Sequence, residues 1–252
     1  MIYHPGKCGG TAIENLFLQT LRDTDLERLM DEPCFGKVVL GAVPPEWLNS
    51  RLRLMIGYLP QASSENGIAG LYLQHADIYA SLKILGPEAI GRLFKLAFVR
   101  NPFPRLLSAY YYNLCDRKWT FREFVLDHLE AEVRLNRPYT VGHFGEMHRY
   151  THLEGEQFVD FVGRLEQIES DVRQLSKTVG VPLDYGDNHR RAKSAASAVY
   201  GHYSEAYDDG MVDRVYDLYR DDFDHFGYSF ERELAFRPQD GARAEAAPAQ
   251  QN

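Results

Sequence analysis

Residues 1–17 read "MIYHPGKCGGTAIENLF", which joins a short apolar run, a glycine-bearing turn with one lysine and a helix-like pattern. The apolar start at residues 1–4 predicts a strand, and apolar residues at helical spacing predict a helix over residues 11–22. Glycines let backbone N–H groups approach an anion, the helix N-terminus adds donors and a positive dipole, and Lys7 adds a full charge. The stretch therefore predicts a phosphate-binding turn. The alternative is a plain strand-to-helix turn with an exposed lysine.

The composition of the chain is that of one large folded domain. Of its 252 residues, 44% are hydrophobic and 13% aromatic, which is enough for a sizeable core. We expect this domain to span residues 1–236, because residues 237–252 are small, polar and rich in alanine and predict a disordered tail. The formal net charge of -8 would repel a polyanion, so a nucleic-acid partner is not expected.

The cysteines and the apolar runs indicate a reducing, cytoplasmic location. Cys8, Cys34 and Cys115 are odd in number and widely spaced, which fits neither a disulfide framework nor a metal-binding pair. No apolar run approaches the roughly 20 residues that span a bilayer, and residues 1–17 lack the pattern of a signal peptide. Stable membrane insertion is therefore not expected.

Strand and helix patterns alternate along the chain. Buried strands are expected at 37–41, 70–75, 93–99 and 157–166, and helices at 77–85, 104–112, 121–133, 168–179 and 204–222. Thr120 and Glu123 have the spacing of a capping box at one helix start. Thr11 and Glu14 have the same spacing behind the glycine turn. The alternation predicts an α/β fold with a central, mostly parallel sheet flanked by helices.

Three candidate site segments follow predicted strands. His4–Lys7 follow the first strand, His75 ends a later one, and Arg100 comes directly after the strand at 93–99. Ligands of parallel α/β sheets bind at the carboxyl ends of the strands. The sequence therefore predicts that these residues converge at one edge of the sheet.

A second segment, residues 97–113, reads "AFVRNPFPRLLSAYYYN" and predicts another anion clamp. Arg100 stands at the end of a strand, and Ser108 follows inside the next helix. An arginine offers paired N–H donors to a phosphate, and a hydroxyl can join it. The alternative is an arginine that neutralises a nearby carboxylate and a serine packed within the helix.

The pattern GxxxxGK[ST] of P-loop nucleotide kinases does not fit the opening turn. Its first glycine is absent, and Cys8 follows Lys7 where a kinase has a Ser or Thr ligand for Mg²⁺. The later strand ends in Arg100, where a metal-dependent enzyme needs a carboxylate. No metal is therefore expected, and a P-loop nucleotide or sugar kinase is kept as an alternative function.

Together the two segments resemble the cofactor-binding segments of sulfotransferases that use 3′-phosphoadenosine 5′-phosphosulfate (PAPS). The matching stretches are "YHPGKCGGTAIENLF" and "FVRNPFPRLLSAYY", and the similarity is greatest to carbohydrate sulfotransferases that modify glycosaminoglycans. Further matching stretches are "LQHADIYASLKILG", "FVGRLEQIESDVRQL" and "LYRDDFDHFGYSF", so the resemblance covers nearly the whole predicted domain. One departure is Pro5 and Gly6, where the family usually has Ile-Pro.

The resemblance implies a P-loop-like three-layer fold and a set of site residues. The turn would hold the 5′-phosphosulfate of PAPS through Lys7, Cys8, Gly9, Gly10, Thr11 and Ala12. Arg100 and Ser108 would hold the 3′-phosphate, and Lys7 would stabilise the leaving phosphate without a metal. The implied reaction transfers a sulfuryl group from PAPS to a hydroxyl of a carbohydrate or glycoconjugate.

The attacking hydroxyl needs a base, and His75 is the expected one. A histidine or a carboxylate suits this role near neutral pH, and the matching region of the family also carries a histidine. The alternatives are that His75 only caps the helix beginning near Asp77, that His4 is the base, or that Asp77 orients or replaces His75. The place of His4 in the turn favours a cofactor-shaping role.

Two further features remain open on sequence alone. The basic cluster "DNHRRAKSAAS" at 187–197 is either a loop that contacts the cofactor or an anionic sugar, or a solvated loop. The tyrosines at 110–112 are expected to divide between core and surface, and no catalytic role is given to them. A relative that binds the nucleotide without turnover is the third function considered.

Overall fold

The computed structural model describes residues 1–20, 58–59, 71–72, 75–113, 119–134, 141–186 and 199–231. The strand predicted at 37–41, the basic cluster at 187–197 and the tail at 237–252 lie outside these described residues. Within the described ranges, no helix is long and apolar enough to cross a membrane.

The described strands are short, and three of them form a central sheet. In chain order, the strands are β1 (Ile2–Tyr3), β2 (Tyr58–Leu59), β3 (Leu71–Tyr72), β4 (Leu96–Val99), β5 (His152–Leu153), β6 (Glu156–Gln157) and β7 (Phe161–Arg164). A parallel sheet has the strand order β1-β4-β7, with Ile2 opposite Leu96 and Leu96 opposite Phe161. The pairs β2–β3 and β5–β6 are separate and antiparallel. A small parallel sheet with flanking helices confirms the α/β prediction.

The described helices account for most of the regular structure. They are α1 (Gly10–Thr20), α2 (Ile78–Leu85), α3 (Pro87–Gly91), α4 (Pro102–Asn113), α5 (Phe121–Glu123), α6 (Leu129–Arg134), α7 (Val141–Phe144), α8 (Ile168–Val179), α9 (Asp209–Leu218) and α10 (Arg220–Phe226). A π-helical turn at Phe124–His128 joins α5 to α6. The capping box of Thr120 and Glu123 is confirmed, and α8 ends as expected at Gly180, whose φ is 68°.

The middle strand of the sheet, β4, is buried along its whole length because apolar side chains cover both of its faces. Leu96 and Phe98 pack with α1 and α8 on one face, whereas Ala97 packs with α2 on the other. Gly163 in β7 leaves room for the neighbouring strand, since a Cβ atom there would lie 2.4 Å from the ring of Phe98. Close packing thus fixes the strand ends that carry the site.

An aromatic core holds α4 against the C-terminal helices. The ring of Phe103 is fully buried, and the rings around it belong to Tyr203, Tyr207, Tyr216, Phe223 and Phe230. The hydroxyl of Tyr207 also donates to the carbonyl oxygen of Phe103 at 2.8 Å. These contacts set the direction in which α4 leaves the sheet.

Two of the predicted strands differ from those observed. Within 70–75 the described strand is β3, which pairs antiparallel with β2 and not with the central sheet. Within 157–166 the sheet strand begins only at β7, because Glu154 and Gly155 turn the chain into the β5–β6 hairpin just before it. Both turn residues have positive φ, 53° and 86°, as tight hairpins require.

The single helix predicted over 204–222 is wrong, because the chain forms α9 and α10 there. The side chain of Asp208 caps the start of α9, and Tyr219 separates the two helices with φ of -117° and ψ of 28°. The hydroxyl of Tyr219 donates to the carbonyl oxygen of Phe144 at 2.6 Å. This tertiary contact accompanies the break, which apolar spacing alone did not reveal.

Candidate functional site

The glycine turn runs from the carboxyl end of β1 to the start of α1. Lys7 and Gly9 have left-handed backbone conformations, with φ of 65° and 86°. A non-glycine residue rarely adopts this conformation, which costs Lys7 about 1–3 kcal/mol. The N–H of Cys8 donates to the carbonyl oxygen of Pro5 at 3.4 Å within the turn. The predicted strand, turn and helix are all present.

The first turn of α1 presents main-chain donors beside Lys7. The N–H groups of Gly10 and Thr11 precede the first bonds within the helix, and Thr11 is exposed. The N–H of Ala12 already donates to the carbonyl oxygen of Gly9 at 2.9 Å. Gly10 and Thr11 therefore offer the better-placed donors for an anion at this helix N-terminus.

A buried histidine lies beneath the turn. The Nδ1 atom of His4 bonds to the Oε1 atom of Glu14 at 2.9 Å, and both side chains are only 5% exposed. Gly10 permits this arrangement, because a Cβ atom there would lie 2.0 Å from the His4 ring. The capping box predicted for Thr11 and Glu14 is wrong, since the carboxylate of Glu14 bonds to His4 instead.

The side chain of Cys8 points into the protein. Its thiol donates to the carbonyl oxygen of Gly6 at 3.6 Å and contacts the sulfur of Met147 at 3.4 Å. Burial raises the pKa of the Cys8 thiol to about 11, so the thiol stays protonated at neutral pH. A ligand in the turn would therefore meet the main chain of Cys8 and not its sulfur.

Arg100 follows β4 and lies next to the glycine turn, because β4 and β1 are parallel neighbours. Its Nη1 atom donates to the carbonyl oxygen of Lys7 at 3.4 Å. The predicted convergence of Lys7 and Arg100 at one edge of the sheet is confirmed. Two cationic side chains thus lie next to each other beyond the ends of adjacent strands.

One face of α4 borders the same turn. Arg105 is buried and donates from Nε to the carbonyl oxygen of Gly6 at 3.0 Å and from Nη2 to that of Gly145 at 2.7 Å. Tyr112 places its ring centroid 3.9 Å from the Nζ atom of Lys7. Ser108 is 3 residues after Arg105 and 4 before Tyr112, so it lies on the same face of the helix.

His75 reaches the site through a main-chain contact with the turn. Its Nδ1 atom bonds to the carbonyl oxygen of His4 at 2.7 Å, and the hydroxyl of Tyr150 donates to the carbonyl oxygen of His75 at 3.1 Å. Burial, followed by the neighbouring His4 ring, lowers the pKa of His75 to about 4. His75 is therefore a neutral imidazole near pH 7.

Asp77 stabilises the start of α2 and pairs with an arginine. Its Oδ1 atom accepts from the N–H of Ala80 at 2.9 Å, which caps α2, and its Oδ2 atom accepts from Arg149 at 2.7 Å. The capping role that was an alternative for His75 thus belongs to Asp77. Both carboxylate oxygens have partners, which disfavours Asp77 as a replacement for His75.

His143 is a third histidine of the site, and the sequence reasoning missed it. Its ring centroid lies 5.0 Å from that of His75 and 5.2 Å from that of Tyr112. Burial, with the nearby His75 and Lys7, lowers the pKa of His143 to about 3. His143 comes from α7 and is far in sequence from either motif. The sequence signal that was available is the helical spacing of Arg105, Ser108 and Tyr112, which marks the face of α4 that borders the site.

A separate cluster of Glu146, His148 and Asp221 has ligand atoms within 4.8 Å of one another, close enough to hold a metal ion. His148 Nδ1 also lies 3.4 Å from the buried carboxylate of Asp222. Although burial opposes the charged form, the carboxylates of Asp222, Glu146 and Asp221 raise the pKa of His148. The three carboxylates thus favour the charged form of His148 over the neutral one.

Comparison with known proteins identifies the family of this chain. A family model described as the Sulfotransferase family matches residues 80–229, which is more than half of the chain. The chain belongs to the sulfotransferase family. No curated protein and no solved structure matches it. In this sulfotransferase-family chain, the matched region includes Arg100, Ser108 and His143, whereas Lys7 and His75 precede it.

Proposed function

We propose that the protein is a PAPS-dependent sulfotransferase that transfers a sulfuryl group to a hydroxyl of a carbohydrate or glycoconjugate. The observation that carries this proposal is the meeting of Lys7, Arg100 and His75 around one glycine turn in a chain of the sulfotransferase family. The carbohydrate acceptor rests on the resemblance of residues 3–17 and 98–111 to carbohydrate sulfotransferases. We also infer a P-loop-like three-layer arrangement and a cytoplasmic location.

The residues of the site fit a nucleotide with two separated phosphate groups. The turn and the N-terminus of α1 offer N–H donors and Lys7 for one of them. Arg100 and the buried Ser108 stand on the neighbouring strand end and on α4, where they would hold the 3′-phosphate. PAPS, when bound, supplies the sulfuryl group and a phosphate leaving group.

Lys7 is the residue that we assign to the leaving group. The ring of Tyr112 keeps the Lys7 ammonium group at the mouth of the turn. A fixed charge placed where negative charge develops stabilises the transition state without a metal. By the size of comparable electrostatic contributions, Lys7→Met should lower kcat by roughly 10²–10³.

His75 is the residue that we assign as general base. Because a carbonyl oxygen only accepts, Nδ1 carries the hydrogen of the bond to His4, and the lone pair of the neutral ring is on Nε2. Nε2 would accept the proton of the acceptor hydroxyl. The negative charge of a bound donor would raise the pKa of His75 toward neutrality, where a base acts best.

Nucleotide binding tests the proposal. Calorimetry without metal should show that 3′-phosphoadenosine 5′-phosphate binds at least about tenfold more tightly than ADP, since one charged contact contributes about 1.5–3 kcal/mol. Arg100→Ala should abolish this preference. Arg122→Ala is the matched control, because Arg122 lies on α5, is exposed and is paired with Asp208. Equal binding of the two nucleotides, or binding only with Mg²⁺, would favour the kinase alternative.

Turnover tests the assigned base. In the His75→Asn variant the amide can still donate to the carbonyl oxygen of His4, while the Nε2 acceptor is lost. Transfer of labelled sulfate from PAPS to unsulfated chondroitin or heparosan should fall by roughly 10²–10⁴ with nucleotide binding retained. Full activity of this variant would exclude His75 as the base. Binding of nucleotide without any transfer by the wild type would favour the non-catalytic relative.

A further inference from the structure

The donor turn and the assigned base are joined through one residue, His4. Its ring bonds to Glu14 in α1 at 2.9 Å, and its carbonyl oxygen accepts from His75 at 2.7 Å. The ring centroids of His4 and His75 are 4.8 Å apart. A displacement of His4 would therefore directly change the hydrogen bond that His75 makes.

The buried position of the Glu14 side chain is energetically unfavourable. It is 5% exposed, and its Oε2 atom has no hydrogen-bond partner among the described residues. A buried polar atom without a partner costs about 1–3 kcal/mol. This cost indicates that the carboxylate contributes to orientation more than to stability.

We propose that the buried His4–Glu14 pair is a positioning device for the base, and this proposal rests on the proposed function. Glu14 holds the His4 ring against Gly10, where a Cβ atom would collide with it at 2.0 Å. The held residue then directs its carbonyl oxygen at Nδ1 of His75. That bond selects the tautomer of His75 whose Nε2 accepts a proton.

The tautomer of His75 is a readout that does not depend on turnover. In ¹⁵N-labelled full-length protein, ring couplings in NMR should show Nδ1 of His75 protonated and Nε2 unprotonated at pH 7. In Glu14→Ala the two tautomers should be mixed. Glu14→Gln keeps an oxygen acceptor for His4 and should restore the wild-type pattern, and Glu88→Ala, an exposed glutamate on α3, is the matched control.

Kinetics give the second readout. By analogy with partners that orient histidine ligands, Glu14→Ala should lower kcat by about 10–100-fold. The affinity for 3′-phosphoadenosine 5′-phosphate should change by less than about threefold, because Lys7, Arg100 and Ser108 are kept.

Two outcomes would overturn the proposal. One is a wild-type His75 protonated at Nε2, which decides the matter even if Glu14→Ala does not fold. The other is a folded Glu14→Ala variant with the wild-type tautomer and wild-type kcat. Failure of the proposed function is recognised separately, because the wild type would then show no preference for 3′-phosphoadenosine 5′-phosphate over ADP, or would bind it without transferring sulfate, whatever the tautomer of His75.

Discussion

At the scale of single residues, the site depends on close approach under the glycine turn. Gly10 lies against the ring of His4, whereas Lys7 adopts a conformation that glycine usually occupies. The sequence predicts the glycine turn, because its local pattern is sufficient. It does not predict why Gly10 must be glycine, since that reason depends on a side chain folded back from position 4.

Gly10→Ala should lower the free energy of unfolding by about 1–3 kcal/mol, because the added Cβ atom overpacks the His4 ring. Urea denaturation measures the change. Gly91→Ala is the control, since no atom lies within 4 Å of a Cβ atom built there. Adding His4→Ala should relieve the collision, so a double variant less stable than the sum of both single changes would contradict this explanation.

At the scale of elements, α4 connects the turn to the rest of the protein through Arg105. This guanidinium bonds to the carbonyl oxygens of Gly6 and Gly145, which belong to segments far apart in sequence. A helix-face argument from Ser108 could have placed Arg105 beside the turn. Its two acceptors could not have been predicted, because they are main-chain atoms without a residue signature.

Arg105→Met should lower the free energy of unfolding by about 2–4 kcal/mol, because two buried carbonyl groups lose charge-assisted hydrogen bonds. Arg122→Met should cost only about 0.2–1 kcal/mol, since its pair with Asp208 is exposed. Denaturation by urea compares the two variants with the wild type. Equal costs would mean that the Arg105 bonds contribute little.

His148 joins the segment around Met147 to α10, and it should make stability depend on pH. Its folded pKa is raised above the usual value near 6.5, so the protonated form favours folding. The resulting stability is fully present below about pH 6.5 and is lost as pH rises through the higher folded pKa. Glu146, Asp221 and Asp222 are the carboxylates that face the ring, and the centroid of the His225 ring lies 5.9 Å from that of His148.

Unfolding measured from pH 6 to 8 should therefore show a loss of stability in the wild type that His148→Gln removes. Asp221→Asn should reduce the loss without abolishing it, because two carboxylates remain near the ring. An identical pH profile in wild type and His148→Gln would contradict the assignment.

At the scale of the whole molecule, the fold divides its packing between the sheet and the aromatic core around Phe103. The sheet places Lys7 and Arg100 beyond the ends of adjacent strands, and the aromatic core positions α4 beside them. Phe103 belongs to the same helix as Arg105 and Ser108, so the core supports the site from behind.

Phe103→Ala should lower the free energy of unfolding by about 3–5 kcal/mol, the usual cost of removing a fully buried ring. Phe94→Ala is the control, because Phe94 is 37% exposed. Thermal unfolding should show a clearly larger drop in Tm for Phe103→Ala. A similar small drop in both variants would mean that the aromatic core is loosely packed.

Local patterns in the sequence determined the strand, turn and helix around Lys7, the strand that ends at Arg100, and the helix that carries Ser108. Each depends on neighbours a few residues away, so periodicity and turn chemistry suffice. Tertiary structure alone decided the pairing of Glu14 with His4, the bond from His75 to the His4 carbonyl, and the presence of His143. These contacts join residues more than 60 positions apart in the chain or place a side chain against a buried ring. The spacing of apolar residues does not predict such contacts, because it reports only local secondary structure.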